Sequence, residues 1–218
     1  MRKPIRSWPS PNVGPRRDGL RPELVVLHFT EMASAEAALR RLSDPSAEVS
    51  AHYVIGRDGT VWQMVDEDQR AWHAGAGEWL GRGDVNSRSI GIELDNDGQS
   101  PFSAPLMDAL EPLLAGILTR WSIPAAGVIA HSDMAPARKV DPGPRFDWQR
   151  LARSSLALWP EADGDPEAPL AASLDALGYP EAPPELRLSA FRLRFRPHHE
   201  GPEDATDRAL ASALLLKN

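Results

Sequence analysis

The run Glu23–Phe29, ELVVLHF, constrains this chain more than any other segment, because it is apolar without alternation. That is the pattern of a strand buried on both faces. Such a strand needs helices over it, and the sequence supplies them. Ala35–Leu42 has high helix propensity and ends before Asp44-Pro45, and Pro105–Trp121 carries apolar residues at helical spacing. Ala51–Gly56 and Thr60–Val65, joined through Arg57-Asp58-Gly59, predict a hairpin. Ser89–Leu94 and Val128–His131 predict further strands, and Phe146–Leu158 predicts a helix packed through Trp148, Leu151 and Leu156. The alternation predicts an α/β fold, a central mixed β-sheet flanked by helices. At Glu161–Pro169 the acidic, proline-rich EADGDPEAP reads as a linker. The expected division is therefore a main domain over 1–160, a linker over 161–169 and a small all-α domain over 170–218. Its three short helices are expected around Leu174, over Leu186–Phe195 and over Ala205–Leu216. So short a unit has a thin core and should lean on the main domain.

Composition removes several classes of function. The net charge is −7 with no long basic run, so nucleic acid is not an expected partner. Cysteine is absent, which excludes disulfides, thiolate metal sites and cysteine nucleophiles. Any metal must be held by histidine and carboxylate. The N-terminal MRKPIRSWPSPNVGPRR has basic residues but no apolar stretch of signal-peptide length, and no segment approaches the roughly 20 apolar residues of a membrane span. A cytoplasmic location, or a periplasmic one if a leader has been removed, and a chain without a membrane span are the expectations.

Six histidines are available: His28, His52, His73, His131, His198 and His199. His28 and His131 close apolar strands, where sites collect in α/β sheets. Asp141 follows in KVDPGP, where Pro142 and Gly143 predict a turn that fixes its carboxylate. Two imidazoles and a carboxylate leave a position open for water, as in catalytic zinc sites. Spacing alone does not select this trio, and His131-x-Asp133 with a distant histidine would instead suit an iron oxygenase. In SIGIEL, Gly91 and Glu93 share the face opposite Ile90, Ile92 and Leu94. A carboxylate in a buried strand is costly unless paired or working. Glu93 is thus either a general base or an ion-pair partner of Arg88, with Gly91 leaving room for substrate or metal. Trp72, His73, Trp79 and Asn86, in a tryptophan- and glycine-rich stretch, are substrate-cleft candidates as well as packing and turn candidates. His52 is expected to bond backbone or a supporting group, His198-His199 to be solvated, and Phe191 and Phe195 to pack in a core.

VVLHFTE, SAHYVIGRDGTVWQMVDEDQRAWHAG, NSRSIGIEL, IAHSDMAPARKVDPGPRFDW and the leading SPN together resemble the type 2 N-acetylmuramoyl-L-alanine amidases, relatives of phage amidases and peptidoglycan recognition proteins. These stretches cover most of Ser10–Trp148, in order. The resemblance implies Zn2+ held by His28, His131 and Asp141, Glu93 as base, and Lys139 as stabiliser of a tetrahedral oxyanion. It also implies peptidoglycan or its fragments as substrate, cut between the muramic-acid lactyl group and L-alanine. None of the five positions departs from the family pattern, which weighs against a silent muropeptide-recognition module. LGY and AFRLRFRP resemble the peptidoglycan-binding-type helical domain appended to some of these amidases. A monomer that recycles cell-wall fragments is expected, with the C-terminal unit bearing on stability or substrate range rather than chemistry.

Overall fold

The computed structural model describes residues 4–160 and 164–216, so Glu161–Asp163 of the expected linker lie outside the described residues. The strands are β1 (Arg6–Ser7), β2 (Val13–Pro15), β3 (Leu24–Phe29), β4 (Tyr53–Ile55), β5 (Val61–Gln63), β6 (Gln69–Ala71), β7 (Ser89–Leu94) and β8 (Val128–Ala130). The helices are α1 (Ala35–Leu42), α2 (Val85–Arg88), α3 (Ala104–Trp121), α4 (His131–Met134), α5 (Trp148–Arg153), α6 (Leu170–Leu177), α7 (Pro184–Phe195) and α8 (Ala205–Leu215). The main sheet runs β1-β5-β4-β7-β3-β8, parallel throughout except for the β4–β5 hairpin, while β2 and β6 form a small antiparallel pair. The fold is α/β with a mixed central sheet flanked by helices. No helix of the described residues is long and apolar enough to cross a membrane.

The apolar run at β3 has its reason in this order: the strand lies between β7 and β8. Val25 and Leu27 face a core made with Ile90, Ile92, Leu94, α3 and α5. Leu24 and Val26 face the other way, into a cluster shared with Leu174, Phe191 and Leu214 of the last three helices. Those helices therefore lean on the sheet itself, and Phe191 and Phe195 are core residues. α1 covers the same face further along, with Leu39 and Leu42 packed on Val54 and Met64. Its start is capped by Ser34, whose hydroxyl accepts from the Ala37 amide.

Two elements differ from expectation. The strand at Val128 ends at Ala130, because the Asp133 carboxylate accepts the Ala130 amide at 2.9 Å and turns the chain into α4. His131 is thus the first residue of a helix. The helix expected over Phe146–Leu158 is confined to Trp148–Arg153: Asp147 caps its start, and Ser155 takes a left-handed conformation (φ 56°) beyond its end. Trp148, Leu151 and Leu156 are buried as expected.

Candidate metal centre

Strand register brings the chemistry together. His28 on β3 pairs in register with Glu93 on β7, so the two side chains leave the same sheet face side by side. His131 follows β8, the other neighbour of β3. Asp141 arrives from the turn ending in Gly143 (φ +79°), and its carbonyl accepts the Ser132 amide at 3.0 Å. The result is a buried cluster of His28, His131 and Asp141 whose potential ligand atoms all lie within 4.8 Å of one another.

The hydrogen bonds define what these atoms offer. Ser89 donates its hydroxyl to the Val85 carbonyl at 2.6 Å, so toward His73 Nε2, 3.1 Å away, it accepts. His73 therefore carries its proton on Nε2, and its bare Nδ1 accepts from His28 Nε2 at 3.0 Å. That leaves His28 Nδ1 as a lone pair. His131 reaches the same state by a shorter route: its Nε2 lies 2.9 Å from the Ala74 carbonyl, which can only accept, so Nδ1 is bare. The two Nδ1 atoms lie 2.9 Å apart, and Asp141 Oδ2 lies 3.0 and 2.9 Å from them. Three lone-pair donors converge with no proton between them. A divalent cation is the partner that satisfies such a set, and imidazole with carboxylate is a zinc-compatible donor set.

Electrostatics agree with this geometry. Burial first, then the His131 ring, pushes the His28 pKa down to about 4, so the imidazole is neutral and able to bind a cation at neutral pH. Burial followed by the Asp141 charge lifts Glu93 to about 8, against the pull of Lys139. Glu93 Oε2 is buried and finds no hydrogen-bond partner among the described residues. The alternative partner, Arg88, is committed to Glu23 at 2.6 Å and to the carbonyls of Trp79 and Arg82.

A cleft of about 350 Å³ opens over the cluster, lined among others by Trp72, Glu93, Lys139 and Val140. A larger groove of about 830 Å³, between Phe102 and Trp159, shares none of these residues, and chemistry converges at the smaller one. The expected substrate contacts separate. Trp72 lines the cleft, with a buried indole N–H that has no partner among the described residues. His73 reaches the cleft, but its ring is bonded to His28 and Ser89. Asn86 is buried and accepts the amides of His73 and Ala74, holding the loop that orients both histidines of the cluster. Trp79 does not line the cleft and packs edge-on to Tyr179, with ring centroids 5.3 Å apart. The room that Gly91 leaves is filled by the His73 ring rather than by substrate or metal: a Cβ there would lie 2.3 Å from His73 Cγ.

His52 supports the same layer, its Nδ1 accepting the Gly91 amide at 3.0 Å and its Nε2 facing the Gln69 carbonyl. Of the terminal pair, His199 lies 3.1 Å from Asp204 and His198 is exposed. Asp133, which an iron-oxygenase triad would need, is fully buried and bonded to Tyr179 and Arg194 instead of joining His131 at the cluster. Ser89 was not singled out from the sequence, although a signal was present: Ser89, Gly91 and Glu93 alternate along one face of β7.

The family profile described as N-acetylmuramoyl-L-alanine amidase matches residues 18–144. The chain is 36% identical over 231 aligned positions to the N-acetylmuramoyl-L-alanine amidase AmiD of Escherichia coli, covering 89% of this chain and 83% of that protein. It is 36% identical over 163 positions to the 1,6-anhydro-N-acetylmuramyl-L-alanine amidase AmpD of Citrobacter freundii, covering 67% of this chain and 87% of that one. Among solved structures, the complex of E. coli AmiD with anhydro-N-acetylmuramic acid-L-Ala-D-gamma-Glu-L-Lys superposes with a TM-score of 0.81 at 34% identity, over 94% of this chain and 92% of that one.

Proposed function

The chain belongs to the N-acetylmuramoyl-L-alanine amidase family, and from that premise we propose that it is a zinc-dependent amidase acting on muropeptides. The bond cut is the amide between the lactyl carbonyl of N-acetylmuramic acid, or its anhydro form, and the nitrogen of L-alanine. The observation that carries this reading is the convergence of His28 Nδ1, His131 Nδ1 and Asp141 Oδ2 within 3.0 Å of one another. E. coli AmiD, whose fold this chain shares, has been captured with an anhydromuramoyl peptide, which supports the substrate class.

His28, His131 and Asp141 would hold the ion. A bound zinc ion supplies Lewis acidity toward an amide carbonyl and acidifies water near neutral pH. Glu93 takes a proton from the attacking water as the new C–O bond forms. It then returns that proton to the alanine nitrogen as the C–N bond breaks, leaving a lactyl carboxylate and a free amine. Burial and the Asp141 charge raise the Glu93 carboxyl above its ordinary value, and a cation held by the trio would favour the ionised form that accepts the proton. Lys139, on the cleft wall, would supply an ammonium to stabilise the developing oxyanion. Trp72 offers a flat apolar wall to the sugar or stem peptide.

The test combines metal analysis with product analysis. Purified protein should contain about one zinc per chain, lose activity to a chelator and regain it with zinc. Digests of anhydro-muropeptide and of intact sacculi, read by mass spectrometry, should release peptides beginning at L-alanine. Full activity in metal-free protein, or products cut at another bond, would overturn the proposal.

A further inference from the structure

Asp133 has no part in the reaction just described, yet it is one of the most thoroughly engaged side chains in the molecule. It is fully buried, and its carboxylate accepts from three directions: the Ala130 amide at 2.9 Å, the Tyr179 hydroxyl at 2.7 Å and Arg194 Nη1 at 2.9 Å. Two of those donors come from beyond residue 164. Tyr179 follows α6, and Arg194 lies on α7, with its guanidinium 4.0 Å above the Trp148 ring and 4.8 Å from that of Phe195. Both charges are out of water, at 4% side-chain exposure for Arg194 and 0% for Asp133. Breaking such a pair from one side strands the other charge.

What the pair holds matters more than the pair itself. α4 is only His131–Met134, too short to persist on its own hydrogen bonds. Its first residue supplies one Nδ1 of the donor trio, and its second, Ser132, gives its amide to the Asp141 carbonyl. Its third is Asp133, and the carbonyl of its fourth, Met134, accepts the Glu78 amide at 3.0 Å. One turn of helix therefore positions two of the three donors, and the C-terminal helices anchor that turn.

We infer that Tyr179 and Arg194 are positioning residues for the metal centre, so that the C-terminal helices set its affinity and geometry. It departs from the expectation that the C-terminal unit bears on stability or substrate range rather than chemistry. The inference rests on the metal-site reading above. Without Arg194 and Tyr179, Asp133 would be a buried carboxylate with its backbone cap alone, and α4 would relax away from Asp141.

The test uses the full-length chain carrying Arg194→Met, Tyr179→Phe or, as a control, Arg187→Met, which removes the Arg187–Asp175 pair within the last three helices. Zinc affinity is measured by competition with a chromophoric chelator, and metal geometry by the visible spectrum of the cobalt-substituted protein. Arg194→Met should bind zinc ~10- to 100-fold more weakly, the scale seen when groups that orient metal ligands are lost. Its cobalt spectrum should shift, and kcat should fall with KM nearly unchanged. Tyr179→Phe, a milder change that keeps the ring, should move in the same direction by a smaller factor. In the metal-free variants, amide exchange at Ala130 and Ser132 should accelerate relative to the rest of the sheet. Arg187→Met should leave affinity and spectrum as in the wild type. If Arg194→Met does not fold, Tyr179→Phe decides. Wild-type affinity and spectrum in the folded variants would overturn the inference, while failure of the wild type itself to bind zinc would overturn the metal-site reading and this one together.

Discussion

Gly91→Ala tests the internal logic of the site with a single methyl group. Gly91 lies in extended backbone in the middle of β7, so the cost of a side chain there is steric. The added Cβ would stand 2.3 Å from His73 Cγ and 2.6 Å from its Cδ2 and Nδ1. Non-bonded carbons settle at about 3.5–4.0 Å, so the ring must retreat by at least ~1 Å. The ring is held at both nitrogens, by His28 at 3.0 Å and by Ser89 at 3.1 Å. A retreat of that size stretches the His28 contact to about 4 Å, beyond hydrogen bonding. Two effects follow. Overpacking should cost about 1–3 kcal/mol of stability. His28, freed from the partner that fixes its tautomer, should lower zinc affinity by ~10- to 100-fold. The assay is denaturant unfolding of the metal-free protein together with zinc competition against a chelator. In the double variant Gly91→Ala/His73→Ala the clash is gone, so stability should recover in part while affinity stays weak. Wild-type stability and wild-type zinc affinity in Gly91→Ala would refute the relay from Ser89 through His73 to His28.

Other outcomes follow from the same geometry. Glu93→Gln, which keeps shape but cannot accept a proton, should retain zinc and fold while turning over at least ~100-fold more slowly; near-normal kcat would remove Glu93 from the mechanism. Asp141→Ala should lose bound zinc along with activity, and full zinc occupancy by metal analysis would disqualify Asp141 as a ligand. The metal-free protein should lose stability as pH falls from 6.5 toward 4. Burial, followed by the Arg16 charge, depresses the His52 pKa from 6.5 to about 3, so over that window the unfolded chain binds the extra proton. One proton bound only by the unfolded chain costs about 1.4 kcal/mol for each pH unit crossed, so His52 alone accounts for roughly 3 kcal/mol across the window. Unfolding free energies at pH 7, 5.5 and 4 for wild type and His52→Gln should converge in acid, and a wild-type stability flat across that range would contradict the burial argument.

The architecture was legible wherever a property repeats within a few residues. Unbroken hydrophobicity marked β3 as an interior strand, and it lies between two parallel neighbours. Helical spacing located α3 to within one residue of its start, and the tail's three helices fall where apolar residues cluster. Alternation in SIGIEL put Glu93 on a different face from Ile92, and in the structure Ile92 enters the core while Glu93 reaches the cleft. Those signals are local because backbone periodicity and turn chemistry are local.

Tertiary structure alone decided which residues those faces meet. Nothing near Gly91 in the chain says that its missing side chain makes room for His73, eighteen positions earlier, because that contact depends on how one loop folds back over β7. The sequence left His73 and Asn86 as cleft or packing candidates, and the structure bonds them to the elements that carry the metal-ligand candidates, since a buried imidazole takes its role from whichever partner packing places at each nitrogen. Asp133 meets Tyr179 and Arg194 across 46 and 61 residues of chain. A carboxylate's sequence neighbours do not reveal whether it will face water, a metal or a guanidinium, because that choice is made by long-range packing that removes water from one pair and leaves it to another.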